Sequence, residues 1–163
     1  MQESRKEYFV EMVLKHKAII YKICNLYASE HDREDLEQEI IYQMWKSFAG
    51  FKGESKFQTW MYRISLNTAL LSLRSKKVRH STLTEKEIEI PHEAPDILET
   101  NIQELYRHIS KLDKIDKGII FLYLEKCSYE EIAGMMGMSE KNVSVRIVRI
   151  KEKLRNMFNV KNS

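Results

Sequence analysis

A chain of 163 residues with 43% hydrophobic side chains, 5 Gly and 2 Pro has room for one ordinary domain or two small ones, and its Leu, Ile, Met, Glu and Lys favour helix over sheet. The two cysteines, Cys24 and Cys127, sit about a hundred residues apart and match no metal or redox spacing, which favours reduced, buried thiols over a disulfide. No apolar run reaches membrane-spanning length, "MQESRKEYF" is not a signal peptide, and reduced thiols are expected, so the expectation is a cytoplasmic protein without membrane insertion.

The net charge of +3 hides an alternation. Glu30 to Glu39 carries six acids and one base, and Lys56 to His80 carries six Lys or Arg and no acid. Thr84 to Glu104 carries seven acids and one base, and Ser139 to Arg155 six bases and two acids. Two separate basic surfaces are thus available to a polyanion, where a single block would read as a solvated helix face.

In chain order, a first helix is expected from Tyr8 to Tyr27. Leu36, Ile40, Ile41, Met44, Trp45 and Phe48 then recur at helical steps and predict one face of an amphipathic second helix. On its polar side Asp35, Gln38 and Glu39 share a face at i, i+3 and i+4. "AGFKGESKF" breaks this helix with two glycines and leaves Phe51, Lys52, Lys56 and Phe57 in or beside a short loop. The next helix runs through "TWMYRISLNTALLSLRSKK", with Trp60, Met61, Ile64, Leu70 and Leu71 expected in the core and Arg63 one turn from Asn67. Both prolines fall in "TLTEKEIEIPHEAPD", which has no sustained helical period, so residues 78–96 read as an acidic linker. Beyond it, Ile102, Leu105, Ile109 and Leu112 mark a helix, and "DKGIIFLYLEKC" a buried one. The fold class is all-α: two small helical domains, residues 1–77 and 97–163, with three or four helices each.

"SYEEIAGMMGMSEKNVSVRIVRIKEKLR" closes the chain with two more helices. Ile132 and Met136 lie one turn apart, Ala133 is small where a crossing helix comes close, and Gly137 can take the positive φ of a tight turn. Ser139 can cap the next helix, along which Val143, Ile147, Ile150 and Leu154 form an apolar stripe. This is a helix-turn-helix layout, with Ala, Gly and Val at offsets 0, +4 and +10. The opposite face holds Lys141, Val145, Val148, Arg149 and Glu152, flanked by Ser144 and Arg146. Lys and Arg suit phosphates or guanine edges, and exposed valines suit thymine methyls. A helical hairpin with a basic solvent face is the alternative.

The same stretch resembles region 4 of bacterial sigma-70 factors, closest to the extracytoplasmic-function group, at Tyr129, Glu131, Ile132, Ala133, Gly137, Val143, Arg146 and Arg149. "DREDLEQEIIYQMW" resembles region 2.2 and "FAGFKGESKFQTWMYRISLNTALLSLR" regions 2.3 and 2.4, at Phe57, Thr59, Trp60, Tyr62, Arg63 and Ile64. Leu71 departs from the pattern, since many members carry Asp four residues after the Asn of this helix. The resemblance implies a sigma region 2 domain, an acidic linker and a sigma region 4 domain, in the order found here.

It further implies an RNA polymerase sigma factor that recognises promoter −10 and −35 elements and promotes DNA melting. Asp35, Gln38 and Glu39 would bind core RNA polymerase at the β′ clamp helices, and region 4 would meet the β flap. Phe51, Lys52, Lys56, Phe57, Arg63 and Asn67 would bind the −10 element, the competing account being that Phe57 and Trp60 pack inward and the lysines touch only phosphates, and Lys141, Ser144, Val145, Arg146 and Arg149 would bind the −35 element. An anti-sigma factor is a common further partner among such proteins. No cofactor and no metal are expected. The main rival is a polymerase-independent helix-turn-helix regulator, which would bind a palindromic duplex by itself. An enzyme is disfavoured: there is no nucleophile elbow or phosphate loop, and five scattered histidines make no ligand cluster.

Overall fold

The computed structural model describes residues 2–74 and 100–162, and the chain divides into two compact units, Met1–Asp96 and Ile97–Ser163. Every regular element among the described residues is an α-helix. The expected acidic linker, 78–96, lies outside the described residues.

The first unit contains α1 (Gln2–Lys15), α2 (Lys17–Tyr27), α3 (Arg33–Phe48) and α4 (Phe57–Arg74). The single helix expected from Tyr8 to Tyr27 is therefore two. The chain breaks at His16, whose backbone leaves the helical region at φ −112°, ψ 22°. No glycine or proline marks this place. The cause is tertiary, because His16 Nδ1 lies 3.2 Å from Gln58 Nε2 and its ring lies 6.2 Å from that of Phe57, which draws the break onto the first turn of α4.

Helix α2 is central. Ile19, Ile20, Ile23, Cys24, Leu26 and Tyr27 are all buried, on more than one face, between α3 and α4. Along α3, Leu36, Ile40 and Met44 recur every fourth residue and point inward. On α4 the buried set is Phe57, Met61, Tyr62, Ser65, Leu66, Thr68 and Ala69, and Thr68 Oγ1 satisfies itself by donating to the Ile64 carbonyl at 2.7 Å. The expected core position Leu71 is instead 60% exposed. In "ALLSL" the apolar residues are nearly consecutive, so their pattern does not choose a face, and packing against α2 and α3 chooses Leu66 and Ala69.

The second unit contains α5 (Thr100–Ile109), α6 (Lys114–Leu124), α7 (Tyr129–Met136) and α8 (Glu140–Asn162). Ile109 and Leu112 are buried as expected, whereas Ile102 is exposed. The Asp113 side chain caps α6, accepting from the amides of Ile115 at 3.1 Å and Asp116 at 2.8 Å. The Asp116 amide in particular holds the Asp113 carboxyl below its ordinary pKa. Lys126, at φ 64°, ends α6, and the Cys127 amide reaches back to the Leu122 carbonyl at 3.0 Å.

Candidate nucleic-acid interface

Helices α7 and α8 are held by caps that leave little freedom in their crossing. Ser128 Oγ accepts from the Glu131 amide at 3.1 Å, and Glu131 Oε1 accepts from the Ser128 amide at 3.0 Å, a reciprocal box at the start of α7. Gly137 closes α7 at φ 67°, ψ 41°, and the Met138 amide donates to the Ala133 carbonyl at 3.1 Å. Ser139 Oγ then caps α8 through the Asn142 amide at 3.1 Å. Ile132, Ala133, Val143, Ile147, Ile150 and Leu154 are buried, so the expected stripe forms the internal face. Met135 is buried in α7, while Met136 is only half-buried.

The opposite face of α8 is presented outward. Lys141, Val145, Val148, Arg149 and Glu152 are exposed and Ser144 is half-buried. Val148 is 64% exposed, an apolar side chain left in water beside two cations. Arg146 differs from its neighbours. Its Nη1 donates to Asp116 Oδ1 at 3.1 Å, with the Arg146 side chain 35% exposed and that carboxylate buried. Lys153 Nζ approaches the other Asp116 oxygen at 3.7 Å. Arg146 thus fastens α8 to α6 instead of standing free with Lys141 and Arg149. Asp116 is the residue that sequence reasoning missed. An acid in the first turn of a helix is ordinary, and only the fold brings it to a partner thirty residues away. Lys151 Nζ donates to the Tyr123 hydroxyl at 2.8 Å, a bond that raises its pKa.

In the first unit the loop between α3 and α4 is built on rings. The Gly50 and Phe51 amides donate back to the Ser47 and Phe48 carbonyls at 3.0 and 3.1 Å, which prolongs the end of α3, and Gly53 then takes φ 74°. Phe51 lies 5.2 Å from Trp60, 5.7 Å and edge-on from Phe57, and 6.3 Å from Phe48 between centroids. Lys52 and Lys56 are exposed and Phe51 is half-buried. Phe57, expected to face nucleic acid with them, is only 8% exposed and backs the Phe51 ring from inside. The physical reason is its position at the first residue of α4, where the ring turns toward His16 and Trp60. Arg63 and Asn67 are both exposed one turn apart on α4, and Leu71 follows on the same stripe.

Asp35 is exposed and Gln38 and Glu39 are half-buried on α3. Glu39 Oε1 accepts from Gln43 Nε2 at 2.9 Å, which orients it along the helix. Burial pushes the Cys24 thiol to about 12 and the Cys127 thiol to about 11, so both stay protonated and unreactive. Among the described residues no group of three or more His, Cys, Asp or Glu is placed to hold a metal ion. No described helix is long and apolar enough to cross a membrane.

Residues 12–79 match the family described as Sigma-70 region 2, and residues 102–154 match Sigma-70, region 4. The chain is 26% identical over 170 residues to the ECF RNA polymerase sigma-E factor of Haemophilus influenzae, covering 96% of this chain and 90% of that one. It is also 26% identical over 172 residues to the ECF RNA polymerase sigma factor SigW of Bacillus subtilis, covering 95% and 91%. Among solved structures it is similar to the sigma factor RpoE of Bartonella quintana in complex with the anti-sigma factor NepR, with a TM-score of 0.70, 21% identity and coverage of 95% and 98%. The two family matches fall in chain order on the two helical units and together span most of the sequence. The chain therefore belongs to the sigma-70 family of RNA polymerase sigma factors, in its extracytoplasmic-function group.

Proposed function

We propose that this sigma factor docks on core RNA polymerase through the α3 face, reads a −35 element with α8, and holds an opened −10 strand at the α3–α4 loop. The observation that carries the reading is the two-sidedness of α8. Its apolar stripe is fully buried, while Lys141, Val145 and Arg149 stand exposed in one line with Ser144 beside them. That arrangement suits base edges and phosphates in a major groove, with Arg146 setting the angle of the helix rather than reading. Phe51, backed by Phe57 and Trp60, offers a ring for an unstacked base, with Lys52, Lys56, Arg63 and Asn67 beside it for the strand. The acidic Asp35, Gln38 and Glu39 face suits a basic coiled coil and disfavours DNA.

An electrophoretic shift with a promoter library tests this reading. The chain with core polymerase should retain a subset of duplexes sharing two spaced elements, and neither protein should select them alone. Selection of a palindromic duplex by the chain without core would favour the polymerase-independent regulator instead. The similarity to a sigma factor bound by NepR also supports an anti-sigma partner.

A further inference from the structure

Helix α8 is fastened to α6 from both flanks of its apolar stripe. Arg146 and Lys153 are seven residues apart and so stand on one side of α8, roughly 80° round from the stripe. Both reach the same carboxylate, Arg146 Nη1 at 3.1 Å from Asp116 Oδ1 and Lys153 Nζ at 3.7 Å from Asp116 Oδ2. Lys151 stands on the other side, about 70° from the stripe. Its ammonium donates to the Tyr123 hydroxyl at 2.8 Å and lies 4.4 Å from the centre of that ring.

The two posts on α6 are themselves held. Asp116 is 6% exposed, and its amide donates to Asp113 Oδ1 at 2.8 Å. Tyr123 is half-buried, with the Tyr129 ring of α7 6.4 Å away. They lie seven residues, or about 10 Å, apart along α6. A roll of α8 about its own axis in either direction therefore lengthens one of the two attachments. The buried stripe alone does not fix that roll so closely, since apolar contact is non-directional whereas a hydrogen bond weakens steeply with angle. Base-edge contacts need placement within about 0.5 Å and 10–20°, while a cation on a phosphate acts through charge and tolerates more.

We infer that Asp116 and Tyr123 are positioning residues for −35 recognition. Neither touches DNA, and together they set the roll at which Lys141, Val145 and Arg149 meet base edges. The inference deepens the −35 reading of α8 and rests on it. It also gives the three tethered cations, Arg146, Lys151 and Lys153, a role in aiming the helix instead of reading sequence.

The test uses holoenzyme assembled from core polymerase and the full chain. It is titrated with two duplexes from a promoter it transcribes, one with its −35 element intact and one with that element scrambled, both with the same −10 element. The reading of α8 is checked by Lys141→Ala, Arg149→Ala, which should lose most of the preference for the intact element; a variant that kept it would remove the reading and the inference with it. Asp116→Ala should lower the preference about tenfold, the order of one base contact. Tyr123→Phe, which removes only a hydroxyl and so guards against loss of the fold, should lower it about threefold, the order of one hydrogen bond. In both variants affinity for the scrambled duplex and the salt slope should stay at wild-type values, because the cations on phosphate are unchanged in number. Asp116→Ala combined with Arg146→Gln should be no worse than Asp116→Ala alone, since the two side chains form one attachment. An unchanged preference in either single variant would overturn the inference, while the Lys141, Arg149 result would leave the α8 reading in place. Equal weakening on both duplexes would also overturn it, as the mark of a domain merely destabilised. Tighter binding of both duplexes with a steeper slope would overturn it by showing that freed Arg146 and Lys153 reach phosphate, and additive losses in the combined variant would do so by making Arg146 a base reader.

Discussion

Gly134 and Gly137 stand three positions apart and should respond to alanine in opposite directions. Gly134 lies inside α7 with open space where a β-carbon would stand, so Gly134→Ala removes only backbone entropy and should stabilise by about 0.5–1 kcal/mol. Gly137 has room as well but sits at φ 67°, where an L side chain costs roughly 1–2 kcal/mol. Urea denaturation midpoints of the two variants should therefore move apart. Asp116 makes a second test at this scale. Asp116→Ala leaves Arg146 without its buried acceptor and should cost about 1–2 kcal/mol, less than a fully buried pair because Arg146 keeps a third of its surface in water. Both Gly137 and Ser139 were legible from spacing alone, since a turn at positive φ and an N-cap are local requirements. Asp116 was not, because nothing in its own neighbourhood distinguishes a buried acid from a helix-start acid.

Helix α3 carries the proposed docking face, and replacing Asp35 and Glu39 by Lys with Gln38→Ala should weaken capture by core polymerase at least about tenfold through charge reversal. Circular dichroism should stay unchanged, because the inward face of Leu36, Ile40 and Met44 is untouched. Undiminished capture would place the docking surface elsewhere. The α1–α2 break gives a pH-dependent prediction. Burial, with a smaller contribution from Lys15, holds His16 below the usual imidazole value of 6.5, so the folded state favours neutral His16. Stability from this site is present above pH 6.5 and declines as pH falls from there through the folded value. His16→Gln should therefore narrow the difference between thermal midpoints measured at pH 7.5 and 5.5. Amphipathic elements with a clean period, α3 and α8, were legible in the sequence. The break at His16 and the exposure of Leu71 were not, since each is decided by contacts of α4 with the neighbouring helices rather than by local propensity, and for Phe57 the sequence left an inward and an outward reading open, between which only packing decides.

At the scale of the whole molecule, two helical units of one sigma-70 chain each present a basic surface, which the alternation of charge along the sequence had already announced. Order and number of domains were readable because acidic and basic blocks, proline placement and the helix-turn-helix spacing are all one-dimensional signals. The central claim is that these surfaces act together to open promoter DNA on the polymerase. Permanganate footprinting of the holoenzyme on a promoter it selects measures this directly. Wild type should make thymines in and just downstream of the −10 element reactive, and a Lys56→Ala, Asn67→Ala variant should keep closed-complex binding while lowering that reactivity several-fold. Full thymine reactivity with the variant, or none with wild type despite a stable complex, would contradict the account.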